Sequence, residues 1–223
     1  MRQKASAGLW AGILAVSALL ACLPASAQPL SPGSASFREF GTPDNGASFS
    51  RGLDVGGGSS QSQASARIVG VDRQTESVRV RFNPIGIELT LPMGWQAVED
   101  WERGAAYSAD KRYRVFVWRV DFAFEGVKDA EHYAATKAGS IKARRPGVQA
   151  QARKLADGSM LILYENVPKG PGDSGPRTVA DLVIPNPKDP KLGVLLTLGV
   201  PGNDSKRAID FLALLRQNMR IDW

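Results

Sequence analysis

The sequence predicts an α+β domain, a largely antiparallel sheet flanked by two helices in an α/β/α sandwich. Period-two alternation of apolar residues dominates much of the chain, as in "IGIELTLP", where Ile85, Ile87, Leu89 and Leu91 share one face. Two stretches change to helical spacing, one after Asp129 and one from Ser205 to Met219. The strands between these helices come in two pairs joined by turn residues. No regular alternation of strand and helix is present, which argues against a doubly wound nucleotide-binding fold.

The chain opens with Arg2 and Lys4, then the uncharged apolar run Leu9 to Leu23, then Ala25-Ser26-Ala27. A charged start, a short apolar run and small residues at a cleavage position form a signal peptide, assigned to residues 1–27. The run is too short for a membrane span. "LLAC" ending at Cys22 also resembles a bacterial lipobox, so two processing routes stand: cleavage after Ala27, or lipidation at Cys22. Cys22 is the single cysteine, so cleavage after Ala27 leaves a mature chain without disulfides.

Residues 28–66 are rich in Ser, Gly, Ala and Gln and read as a disordered Gly/Ser-rich linker. They offer too few large apolar side chains to offset the entropy of ordering. In that reading "FREF" (Phe37 to Phe40) is either a docking segment or a stray aromatic pair. Residues 67–223 form a single domain, large enough for a hydrophobic core.

Within the domain, "VRVRF" (Val78 to Phe82) and "IGIELTLP" are strands, and Pro92-Met93-Gly94-Trp95 is a turn. "RYRVFVWRVDF" (Arg112 to Phe122) is a long strand, apolar on both faces in its middle and so expected to be covered on both sides. Asp129 caps the first helix, and Pro146-Gly147 stops it after Arg144 and Arg145. Asp157-Gly158 marks one hairpin and "NPKDPK" a second with a longer loop. The closing helix carries Ala208, Ile209, Leu212, Leu214 and Leu215 as a wide apolar stripe.

This element order, with the Leu-Pro-x-Gly-Trp turn of "IELTLPMGW" and the aromatic strand "YRVFVWRV", resembles the PsbP/Mog1-like superfamily and its DcrB-like bacterial exported members. The resemblance covers about residues 78 to 221. It implies an α/β/α sandwich used for binding, docking or assembly, and it transfers no functional residue.

"GPGDSGP", Gly170 to Pro176, approaches the nucleophile loop of trypsin-like proteases, and His132, Asp157 and Ser174 fall in that family's order. His132 lies inside a predicted helix, however, only 42 residues before Ser174, and the second Gly of the motif is missing. A Gly- and Pro-rich loop between strands accounts for the stretch. One His, with a Cys that cleavage after Ala27 would remove, makes a poor metal set. Asp189 in "PNPKDPK" lacks the calcium-loop pattern. No phosphate-binding glycine loop precedes a helix, and no cofactor is expected.

Two features suit binding. Lys142, Arg144, Arg145, Arg153 and Lys154 are a candidate basic patch for a partner, or alternatively solvated charges that complement the helix end. Trp95, Trp101, Tyr113, Phe116 and Trp118 either line a cleft or fill the core. The net charge of +6 is too modest and too spread to indicate nucleic acid. The expectation is a non-enzymatic, monomeric exported protein, periplasmic or secreted, that binds or assembles with an envelope protein. It touches the membrane only if Cys22 is lipidated. Two alternatives are a serine-type hydrolase using Ser174 and a small-ligand carrier with an aromatic-lined cleft.

Overall fold

A computed structural model describes residues 27–41, 64–169 and 173–223. Cys22, most of the signal segment and the second part of the linker lie outside the described residues. The described chain begins with a 3-10 turn at Phe37–Phe40. It continues through β1 (Ala64–Ser65), β2 (Arg67–Asp72), β3 (Ser77–Phe82), β4 (Ile87–Pro92), β5 (Gln96–Glu99), β6 (Arg103–Tyr107) and β7 (Arg114–Asp121). Helix α1 (Ala130–Arg144) follows, then β8 (Gln149–Lys154), β9 (Met160–Val167), β10 (Arg177–Pro185), β11 (Leu192–Pro201), α2 (Ser205–Gln217) and β12 (Arg220–Ile221).

The strands form two antiparallel sheets. The larger has the order β1-β5-β6-β7-β11-β10-β9-β8, and the smaller β12-β4-β3-β2. Alternation along the central strands divides the interior in two. Leu182 and Ile184 of β10, Leu196 and Leu198 of β11, and Val115 and Val117 of β7 join the small sheet and α2 in the larger core. Val183, Leu195, Val120, Ile162 and Tyr164 face the other way and pack under α1 with Ala130, Ala134 and Ala138. The molecule is therefore an α+β fold with a helix on each face of a mostly antiparallel sheet, as the alternation predicts.

Both helices start where the sequence places them. The Asp129 carboxylate accepts from the His132 N–H at 2.8 Å, and Asp204 accepts from Arg207 N–H at 2.9 Å. Both hairpins also form, β8–β9 around Asp157-Gly158 and β10–β11 around residues 186–191.

Three expectations are corrected. First, residues 28–41 are not part of a free arm. Phe37 and Phe40 are buried in the larger core. The Phe40 ring stacks on Phe211 of α2 at 3.9 Å between centroids, and its carbonyl accepts from Trp95 Nε1 at 2.8 Å. The indole of the Leu-Pro-x-Gly-Trp turn thus fastens the N-terminal segment. Second, ordered structure begins before Arg67: Ala64 and Ser65 pair with β5, and Ala66 is buried. Third, the strands before α1 are split between two sheets. Gly104 makes that packing feasible, because a Cβ there would lie 2.4 Å from the Phe82 ring of the small sheet.

A candidate partner-binding groove

Two turns at one end of the β6–β7 hairpin are each built on an aspartate. Asp100 accepts from the backbone N–H of Glu102 at 3.0 Å and of Arg103 at 2.9 Å, and from Arg103 Nε at 2.9 Å. Burial raises the Asp100 pKa, but these bonds outweigh it and hold the carboxyl below its usual range. Asp121 accepts from the N–H groups of Ala123 at 2.9 Å and Phe124 at 3.1 Å. Side chains bound to their own backbone in this way set the direction of the residues between them.

Each turn turns one aromatic outward. Trp101 is 82% exposed and Phe124 is 89% exposed, whereas Phe122, two residues earlier, is wholly buried against Tyr133. Arg103 pairs across the hairpin with Trp118, so the two turns share an end of the sheet. Between them runs a groove of about 730 Å³ lined by Phe116, Trp118 and Val120 of β7 and by Ile85. Charged side chains border it. Arg119 lies in it but is occupied: its Nε donates to the Ile85 carbonyl at 2.9 Å, another nitrogen donates to the Asp222 carbonyl, and its guanidinium sits 5.2 Å from the Trp223 ring. Glu102 and Glu125 border the groove and form no ion pair among the described residues.

Trp118 also walls a second, smaller cavity of about 220 Å³ between α1 and the sheet. At its base Asp181 is buried, receiving Lys137 Nζ at 2.9 Å and the Thr197 hydroxyl. The same ammonium lies 5.5 Å from the Trp118 ring and 5.8 Å from Tyr133. Burial foremost, with the Asp181 charge beside it, pushes the Tyr164 phenol far above its ordinary range.

The aromatic set read from the sequence divides. Trp95 and Tyr113 pack in the core around Phe211, while Trp101, Phe116 and Trp118 line the groove. Sequence reasoning missed Phe124, although a second Phe two residues after a strand's last apolar position, with no helical partner, is a signal of exposure. It also missed Asp181, a lone carboxylate within the apolar strand "RTVADLVIP".

The five basic residues do not gather. Lys154 Nζ pairs with Glu131 at 3.1 Å, at the first turn of α1. Lys142, Arg144 and Arg145 lie at its far end, about 20 Å away for a helix of this length.

The "GPGDSGP" stretch has a structural use. The Asp173 side chain is buried, 3.2 Å from Arg177 and 4.0 Å from Arg114, and Arg177 donates to the Arg112 carbonyl at 2.7 Å. Ser174 beside it is exposed. It precedes the end of β10 that pairs with Val167, whereas His132 lies near Lys154, which pairs with Met160 at the other end of β9. Asp157 is 3.4 Å from Arg216. The three groups of the protease reading are not brought together.

No family model matches the sequence, and no curated protein does. Among solved structures, the chain is similar to the Ran-binding protein Mog1p of Saccharomyces cerevisiae, with 11% identity and a TM-score of 0.48, over 65% of this chain and 95% of that one. It is also similar to the cyanobacterial PsbP, CyanoP, of Synechocystis, with 15% identity and a TM-score of 0.45, over 71% of this chain and 98% of that one.

Proposed function

We propose that this chain is a non-catalytic binding module of the bacterial cell envelope, exported by its N-terminal segment, that receives part of another protein in the groove between Trp101 and Phe124. One observation carries the reading. Two large aromatic side chains stand almost fully in solvent on either side of an apolar floor. Exposed apolar patches of this kind mark contact sites, and tryptophan is the residue most enriched at their energetic centres. The catalytic alternative draws no support from Ser174, which stands apart from His132. The carrier alternative, a cleft lined by aromatics, has Trp101, Phe116 and Trp118 in this same groove of about 730 Å³. The near-complete exposure of Trp101 and Phe124 at its edges favours a macromolecular contact over a ligand enclosed in a pocket.

Site-specific photocrosslinking in cells tests the proposal. A photoreactive residue in place of Ala123, exposed beside Phe124, is expected to yield a discrete protein adduct, and one in place of the exposed Lys206 on α2 is not. The absence of any adduct at position 123, or the same adducts at both positions, would refute it.

A further inference from the structure

We infer that the occupant of the groove is a segment of a partner protein in which an apolar or aromatic side chain is flanked by lysine or arginine. The inference rests on the binding reading above and adds the chemistry of what is bound.

The charges around the groove support it. Both arginines that line it are already engaged, Arg103 by Asp100 and Arg119 by backbone carbonyls and Trp223. The lining charges without an ion pair among the described residues are the carboxylates of Glu102, Asp121 and Glu125, all exposed, and the Arg119 guanidinium. Asp121 is taken up by the Ala123 and Phe124 N–H groups and Arg119 by the carbonyls, so Glu102 and Glu125 are the two left open. The chain as a whole carries +6, so this end runs against the sign of the molecule. Screening confines the molecular field to ~8–10 Å at moderate salt, and the rim carboxylates act inside that range. An acidic segment would be drawn to the protein at large and repelled at the groove.

The rings support it as well. Several aromatic rings of this protein carry their own cation: Lys137 on Trp118 and Tyr133, Arg207 on Phe40 and Tyr113, Arg119 on Trp223. Trp101 and Phe124 have neither a ring nor a cation partner among the described residues. A bare indole face beside free carboxylates is suited to an ammonium or guanidinium, and the floor of Phe116, Trp118 and Val120 to an apolar neighbour of that cation.

Panning a random peptide library on the protein produced from its full reading frame provides the test. Sequences with Lys or Arg next to Trp, Phe or Leu are expected to be enriched. A synthesised winner should bind ~10-fold more weakly to Trp101→Ser. It should bind about three- to fivefold more weakly to the double variant Glu102→Gln, Glu125→Gln, with a flatter salt dependence. Circular dichroism confirms that each variant is folded. Enrichment of acidic or uncharged peptides that still need Trp101 would overturn the charge inference and leave the binding reading standing. If no selected peptide depends on Trp101 or Phe124, both fall. A dimer seen by sedimentation and dispersed by Trp101→Ser would place a second copy in the groove, and would also overturn the inference.

Discussion

Phe211 is the side chain on which the aromatic rings Phe40, Trp95 and Tyr113 of the larger core converge. It is wholly buried, stacked on Phe40 and edge-on to Trp95 and Tyr113. Phe211→Ala is expected to cost about 3–5 kcal/mol, from lost contacts and the cavity left behind. Trp118 is only partly buried, so Trp118→Ala should cost less, about 1–2 kcal/mol by the same scale. Denaturant titration distinguishes the two, and equal losses would mean that the Trp118 floor is closed. The four tyrosines offer a second check. Burial raises the Tyr133 phenol to about 12, with Glu125 and Asp181 adding to the shift, and Tyr164 goes higher still. An unfolded phenol ionises near pH ~10. From there upward the unfolded chain releases protons that the folded one keeps, so these two groups make stability fall with rising pH through the folded values. Absorbance near 295 nm should therefore show Tyr133 ionising late and Tyr164 only as the protein unfolds. At the acid end the sign reverses. Asp100 and Asp110 have lowered values in the fold, and their contribution is present above pH ~4 and lost as pH falls through them.

Among the elements, the N-terminal segment is held by side chains rather than by a strand ladder. If a protease site is introduced after Arg51 and cut, the fragment bearing Phe37 and Phe40 should co-elute with the domain on gel filtration, and Phe40→Ala should release it. Separation of the cut fragments with Phe40 retained would show that the Phe40–Phe211 stack does not hold. This segment also marks the boundary of what the sequence makes legible. α1, α2 and the two hairpins are written locally, in caps, stops and turn residues. The burial of Phe37 and Phe40 depends on surfaces supplied by Trp95 and Phe211, far along the chain, and no periodicity in "FREF" announces it. β6 was invisible for a related reason: "RGAAY" has small residues where an alternation would show, because Gly104 must let Phe82 approach. The division into two sheets is likewise a property of pairing between distant strands. Half of the groove was legible, in the aromatics Trp101, Phe116 and Trp118. Phe124 and the rim carboxylates were not, because what makes them notable is the lack of a neighbour, which only the folded chain reveals.

For the whole molecule, the groove and the fold are separable. Trp101→Ser should leave stability within about 0.5 kcal/mol of the parent, since the side chain is mostly in solvent, while weakening partner capture ~10-fold. Ser174→Ala should be neutral in both respects. A Ser174→Ala protein that folds normally but loses a hydrolytic activity would reinstate the catalytic reading. Measuring melting temperature and crosslinking yield side by side on the two variants distinguishes an interaction surface from a structural one.

The docked N-terminal segment also gives the molecule a direction. Pro29 and Leu30 lie beside Leu155, Gln217 and Met219, at the C-terminal end of α2, while Phe116 and Trp118 open on the opposite side of the large sheet. Anything attached upstream of Ala27 therefore pulls on the α2 side of the large sheet, while the Phe116 and Trp118 floor faces the other way. Tension on such a leash meets Pro29 and Leu30 against Leu155, Leu182 and Met219 first, and reaches the Phe40–Phe211 stack only after those contacts yield.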